Sequence, residues 1–229
     1  MKKKAVLVFV FLLALSAYTA HISRAGYIEE SKVEAAKDVL DEIMKIPEQR
    51  IPPAMLKNIY GIAVIPNVIK AGFVVGGRYG EGIIVIRTGN RQWSNPLFIT
   101  LVGASVGFQV GVQASDVILV FKSRKSVDGI IQGKVTLGAD ASIAAGPVGR
   151  QAAAATDIEL KAEIYSYSRS RGIFAGVSLD GAVLQVEKTM SAAFYGVKEI
   201  NPNEVFSGSK YTAPPIADSF KQVLIKYAQ

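Results

Sequence analysis

The chain has 229 residues, a formal net charge of +7, no cysteine and one histidine, His21. The lack of cysteine excludes disulfides, thiol catalysis and cysteine-ligated zinc. His21 lies in a segment that we expect to be removed, which would also exclude Ser-His-Asp catalysis and histidine-ligated zinc. The composition therefore favours a protein that is not an enzyme, with no metal site and no other cofactor.

The first 25 residues have the pattern of a secretory signal. Three lysines precede an uncharged apolar run from Ala5 to Ala20, and Ser23-Arg24-Ala25 places small residues at −3 and −1 of a cleavage site. A run of 16 residues is shorter than the about 20 that span a bilayer, and an uncleaved anchor is the alternative. We expect export to the periplasm or the medium, with residues 26–229 forming one domain that can lie peripherally on an envelope membrane.

Removal of the signal changes the charge. Residues 1–25 contain four of the 26 lysines and arginines and none of the 19 acids, so the net charge of residues 26–229 is +3. This weak excess suits attraction to an anionic surface and is far below the charge density of a nucleic-acid-binding protein. We therefore expect no nucleic-acid partner.

Two helices are predicted at the start of the domain. Ser31-Lys32-Val33-Glu34 has the form of a capping box, which predicts that the first helix begins near Ser31. Pro47 should end this helix, and its apolar residues recur at helical spacing: Val33, Ala36, Leu40, Ile43 and Met44. A short second helix is predicted from about Pro53 to Ile59.

The pattern then changes to that of β structure. "IYGIAVIP" predicts a strand, and "AGFVVGGRYGEGIIVIR" predicts a hairpin that turns near Tyr79 to Glu81. Leu97 to Ser115 carries no charge, and fifteen residues of strict alternation within this segment favour a strand over a membrane helix with a GxxxGxxxG contact face. The glycines would then share one strand face and form a shallow trough for close packing, a ligand or a protein partner: Gly103, Gly107 and Gly111.

The rest of the chain alternates between short elements. A helix is predicted around Ser126 to Ile131, and strands in "DIELKAEIYSYS" and in "RGIFAGVSLDGAVLQVEK", with a reversal at Asp180-Gly181. "TMSAAFYG" and "NPNEVFSG" predict short helices, and a final helix should begin near Pro215. The expected fold is α+β, with a largely antiparallel curved sheet or barrel-like β core and N- and C-terminal helices packed on it.

The sequence contains only partial matches to motifs typical of catalysis. "GPVGR" matches no phosphate-binding loop, and Pro147 removes an amide that such a loop would use. Ser207 and Lys210 match S-x-x-K, but no K-T-G or S-D-N accompanies them. Asp157 and Glu159 share a strand face that continues with Lys161, which favours a solvated edge.

Basic residues that follow strands are the candidates for a binding site. Cations flanked by serines suit lipid phosphates, and nearby aromatic side chains could reach acyl chains; ordinary charged strand ends are the equally weighted alternative. The headgroup candidates are Lys122, Arg124, Lys125, Arg169 and Arg171, and the acyl-chain candidates are Phe121, Tyr167 and Phe174.

Several long motifs resemble one family. "LGADASIAAGPVGR", "YSYSRSRGIFAGVSLDGAVL" and "VGFQVGVQASDVILVF" are similar to the SYLF family of lipid-binding domains, which includes yeast actin-patch proteins, and the similarity extends over roughly residues 59–208. The resemblance implies a non-catalytic module that binds anionic phospholipids, with phosphoinositide binding in eukaryotic members and actin binding in fungal ones. It also implies a tightly packed small-residue segment, and a further headgroup contact from Arg150.

One feature departs from the family. Eukaryotic members have a basic amphipathic N-terminal helix that engages membranes, whereas the helix predicted here is acidic, so its apolar stripe should pack on the domain instead. Export would also separate the protein from actin and phosphoinositides, so actin is a partner by family analogy only and is not expected here. A structural protein that binds a protein partner through the glycine-lined face is the alternative function.

Overall fold

The computed structural model describes residues 26–148, 161–170, 173–176, 179–208 and 210–228, with side chains for all of these except 73–75, 105–111 and 173–176. The predicted signal segment, Arg150, Arg171 and the Asp157–Glu159 pair lie outside these ranges. The helices are α1 (26–45), α2 (Pro53–Asn58), α3 (Lys125–Ile131), α4 (Lys188–Phe194), α5 (Pro202–Ser207) and α6 (Pro215–Tyr227).

The strands are β1 (Gly61–Ile86), β2 (Leu97–Phe121), β3 (Lys134–Thr136), β4 (Ile143–Ala145), β5 (Ile164–Ser170), β6 (Ile173–Gly176) and β7 (Val183–Val186). They form one seven-stranded sheet in which β2 pairs with β1 along nearly its whole length, with β7 at one end and with β5 at the other. Among the pairings between these described strands, that of β4 with β5 is parallel and the others are antiparallel. The α+β prediction, with a largely antiparallel sheet and helices at both ends of the domain, is confirmed.

Strand β1 folds back on itself. A Cβ atom at Gly82 would overlap the carbonyl oxygen of Val64 and lie 2.6 Å from the Cα of Ile65. Eighteen residues of straight strand would separate Gly82 from Val64 by about 60 Å. The β1–β2 ribbon is therefore bent double, and we call its middle part, residues 69–79 and 102–114, the ribbon bend.

Two predictions about local structure are wrong. No turn occurs at Tyr79 to Glu81, because β1 continues through these residues and the reversal into β2 lies at residues 87–96. The glycines that suggested a turn instead let one half of β1 pass close to the other. Helix α1 already includes residues 26–30, the first that the structure describes, so it does not begin near Ser31, whose hydroxyl donates to the Ile28 carbonyl oxygen (2.7 Å) within the helix.

Both faces of the sheet are covered away from the bend. Helices α1, α2 and α6 pack on one face, and α3 and α5 on the other, which explains the unbroken apolar runs "GIAVI" and "VILVF". Val33, Leu40 and Ile43 of α1 are fully buried, so the predicted packing of its apolar stripe on the domain is confirmed. No helix in the described part of the chain is long and apolar enough to cross a bilayer.

A polar network ties α1 to two strands. The Nε of Arg169 on β5 donates to Oδ2 of Asp116 on β2 (2.7 Å), and the same guanidinium pairs with Glu42 on α1. The other oxygen of Asp116 accepts from the amide of Asn67 (3.0 Å), which has a φ of 51° at an irregularity in β1. One buried carboxylate thus holds three segments in register.

We expect Gly82→Ala to destabilise the protein by about 1–3 kcal/mol or more, because the added methyl group overlaps backbone that cannot move aside cheaply. Gly77→Ala, in the same strand, is the matched control, since its Cβ would meet nothing nearer than the Gly103 carbonyl oxygen at 3.9 Å. Chemical denaturation of both variants measures the difference. Equal stability of the two would show that β1 does not fold back as described.

We expect Arg169→Met to cost about 3 kcal/mol, because it leaves the Asp116 carboxylate buried without its cation. Adding Asp116→Asn to this variant should recover part of the loss. Lys210→Met, which breaks the exposed Lys210–Glu204 pair, should change the unfolding free energy little. A stable Arg169→Met variant would contradict a structural role for this arginine.

Candidate anion-binding cleft

A cleft lies at the end of the molecule opposite the ribbon bend, where both ends of β1 meet the end of β2. The Tyr60 carbonyl oxygen accepts from the amide of Arg87 (2.6 Å), and the Tyr60 amide donates to the Phe121 carbonyl oxygen (2.8 Å). Loop 87–96 and helix α5 contribute to a cavity of about 640 Å³, and a smaller cavity of about 220 Å³ shares Tyr60 and Arg87 with it.

The charged lining of these two cavities has one sign. No aspartate or glutamate occurs among the described residues that line them, whereas six cations do: Lys57, Arg87, Arg91, Lys122, Arg124 and Lys221. The acids that partly offset these charges stand outside the lining, with Asp128 3.4 Å from Arg124 and Asp218 2.7 Å from Lys221. A concave surface lined in this way concentrates positive potential.

Arg87 is held in place at the centre of the cleft. Its guanidinium lies 4.0 Å from the centroid of the Trp93 ring, and Nη1 donates to the Arg91 carbonyl oxygen (2.8 Å). Burial and, second, the positive charge of Arg91 lower the pKa of Arg87. An arginine remains cationic under these conditions, so this residue is a fixed positive group beside another positive group.

The chemistry available here is recognition of an anion. Guanidinium and ammonium groups make charge-assisted hydrogen bonds to phosphate and carboxylate, and the amides of Asn90 and Asn203 also line the larger cavity. Among the described residues no group of three or more His, Asp or Glu side chains could hold a metal ion. Ser207 and Lys210 do not engage each other: the hydroxyl donates to the Glu204 carbonyl oxygen (3.0 Å) and the lysine pairs with the Glu204 carboxylate (2.8 Å).

The structure separates the predicted headgroup residues. Lys122 and Arg124 line the cavities, and Lys125 is exposed beside them at the start of α3. Arg169 lies elsewhere, in the network with Asp116 and Glu42.

The predicted acyl-chain contacts do not fit their suggested role. Phe121 and Tyr167 are fully buried in the two cores, so neither reaches the surface. The Tyr167 hydroxyl donates to the Pro147 carbonyl oxygen (3.2 Å), and a Cβ at Gly146 would overlap the tyrosine ring. The small residues around Gly146 therefore serve close packing over an aromatic ring. Phe174 lies on β6, where only the backbone is described.

The three glycines of the predicted trough have different surroundings. A Cβ at Gly103 would lie 3.0 Å from the Cα and Cβ of Ala182, so close packing fills this position. Gly107 pairs with Val74 and Gly111 pairs with Gly72, both within the ribbon bend.

Sequence reasoning missed four of the six cations: Lys57, Arg87, Arg91 and Lys221. Arg87 and Arg91 flank the turn "RTGNR" after a strand, the same signal that singled out Lys122 and Arg124. Lys57 and Lys221 come from helices far apart in the chain, and no local pattern connects them to this site.

The chain is similar to characterised proteins over most of its length. Residues 102–227 match the family described as "Ysc84: Las17-binding protein actin regulator". The chain is 33% identical over 206 residues to SH3 domain-containing YSC84-like protein 1 of Xenopus laevis, covering 87% of this chain and 61% of that protein. It is 37% identical over 180 residues to Protein YSC84 of Saccharomyces cerevisiae, covering 77% of this chain and 38% of that protein.

The match therefore takes in most of this chain but less than two thirds of the curated relatives' own length. More than half of the chain lies within the family match, and the cationic cleft includes matched residues such as Lys122 and Lys221. The chain belongs to the Ysc84 family, the family of the SYLF domain.

Proposed function

We propose that this protein is a non-catalytic module of the cell envelope that binds anionic phospholipid, with the lipid phosphate held in the cationic cleft. The observation that carries the proposal is the lining of the cleft, which has six cations and no described acid. A phosphodiester in this position would replace the repulsion between Arg87 and Arg91 with attraction to both.

The fixed position of Arg87 supports binding rather than mere attraction. An arginine already held by an aromatic ring and a carbonyl oxygen loses little conformational entropy when it engages a phosphate. Four of the other cations, Lys57, Arg91, Lys122 and Arg124, are exposed, so their contribution should decrease as salt is added. This site needs no cofactor, and binding of this kind requires no chemical step.

We expect more protein to float with vesicles that contain anionic phospholipid than with neutral ones, and this gain should fall with increasing salt. Lys122→Glu, Arg124→Glu and Lys125→Glu combined should remove most of the gain, because they reverse the charge at the mouth of the cleft. Vesicle flotation of residues 26–229 at several salt concentrations measures both effects.

The matched control replaces three exposed lysines that line neither cavity with glutamate: Lys134, Lys188 and Lys198. It has the same net charge as the first variant, so any difference reports position rather than total charge. If both variants lose the same amount of flotation with anionic vesicles, net charge alone explains the effect. If the protein floats no better with anionic than with neutral vesicles, the proposal is refuted.

A second candidate function is binding of a protein partner through the glycine-containing face of β2. The family description and the name LAS seventeen-binding protein 3, given to a relative in Saccharomyces cerevisiae, both refer to a protein partner. Crosslinking in intact cells should then trap a protein, and Gly107→Leu should abolish that adduct while the variant stays folded. An unchanged adduct would exclude this face.

A further inference from the structure

The ribbon bend carries most of the apolar side chains that the described structure leaves exposed. Seven large apolar residues are exposed, and four of them lie on the bend: Ile69, Tyr79, Val102 and Val112. Val112 is the extreme case among these, with 74% of its surface accessible. Exposed apolar residues that cluster in this way mark an interaction surface, whereas scattered ones do not.

Two more of the seven, Tyr27 and Ile28, lie on α1 about one turn before Lys32. Lys32 is held beside the bend by Glu81 of β1, since its Nζ lies 2.5 Å from the Oε2 of Glu81. Lys32, Ile69 and Tyr79 also line one shared cavity of about 310 Å³. The apolar surface therefore extends from the bend to the start of α1, and only Ile225 stands apart from it.

The charges of this surface suit a lipid layer. The bend segments, 69–79 and 102–114, contain two cations, Lys70 and Arg78, and no aspartate or glutamate. At the margin, Glu81 is neutralised by Lys32 and accepts a hydrogen bond from the Tyr79 hydroxyl, and this bond raises the pKa of Tyr79 to about 12. Tyr79 is therefore uncharged near neutral pH, as an interfacial side chain should be.

The described part of α1 starts at residue 26, six residues before Lys32, which lines a cavity with Ile69 and Tyr79 of the bend. In the sequence, an uncharged apolar run precedes it at residues 5–20.

We propose that the ribbon bend inserts into the interfacial layer of a membrane, with Ile69 and Val112 among the side chains that enter it. Insertion is shallow, because a two-stranded ribbon leaves backbone groups on its outer edges that the hydrocarbon core cannot satisfy. The cationic cleft lies at the other end of the ribbon: from Val112 to the end of β2 at Phe121 is nine residues (121 − 112), or about 30 Å of strand. An inserted bend thus leaves the cleft at the end of the domain away from that layer.

This inference is tested with single-cysteine variants of residues 26–229, since the chain has no cysteine of its own. Val112→Cys at the bend and Asn90→Cys at the cleft are each labelled with a polarity-sensitive fluorophore and mixed with neutral phosphatidylcholine vesicles. We expect the Val112→Cys label to shift to the blue and to lose most of its emission to brominated acyl chains, whereas the Asn90→Cys label stays in water.

Substitution provides an independent measurement. Ile69→Glu and Val112→Glu should each weaken partitioning to neutral vesicles on the order of tenfold, because a charge replaces an apolar side chain that would enter the lipid layer. Ile225→Glu is the matched control, since it changes an exposed apolar residue of α6 in the same way but away from the bend.

The outcomes separate this inference from the proposed function on which it builds. Quenching of the Asn90→Cys label alone overturns insertion of the bend and leaves headgroup binding by the cleft intact. A blue shift of the Val112→Cys label without vesicles, increasing with protein concentration, also overturns insertion, because the bend would then be covered by protein. Insertion at neutral vesicles without any anionic gain in flotation overturns the role of the cleft and retains that of the bend.

Discussion

The doubling back of strand β1 is the constraint on which the structure depends. A strand of 26 residues cannot stay straight inside a domain of this size, since it would extend about 85 Å. Glycine at positions 76, 80 and 82 removes the side chains that would collide with the first half of the strand. With that contact made, β2 follows β1 through the bend, and the other strands pair with its two ends.

Folding the ribbon in two gives the molecule two chemically different ends. The strand termini converge at one end, where loop 87–96 and the start of α3 bring basic residues from distant parts of the chain together. The bend forms the other end, with exposed apolar side chains and no acid in its own segments.

The remaining parts of the fold are held on this ribbon by few specific contacts. Asp116 and Arg169 connect β2 to β5 and, through Glu42, to α1. The small-residue segment around Gly146 lies directly over the Tyr167 ring, which places β4 alongside β5. These contacts show why an arginine after a strand and a run of small residues, both of which resemble binding motifs in sequence, have structural roles here.

Much of the secondary structure followed from local patterns. The stripe of α1, the alternation from Leu97 onwards and the starts of α5 and α6 each depend on residues close together in the chain, and the structure has these elements where they were expected. Family membership was equally accessible, because its motifs are long continuous segments. Lys122 and Arg124 were found in the same way, as cations that directly follow a strand.

The tertiary structure alone decided which of these residues approach one another and which are buried. Local sequence presents the glycines of β1 as a turn, and only the crossing of residues 64–65 and 82 shows that they permit a close approach. The burial of Phe121 and Tyr167 depends on helices packed from elsewhere in the chain. By itself the sequence determined most of the elements, the family and the lack of cysteine. The cleft and the exposed bend depend on contacts between residues far apart in the chain, which local patterns do not encode.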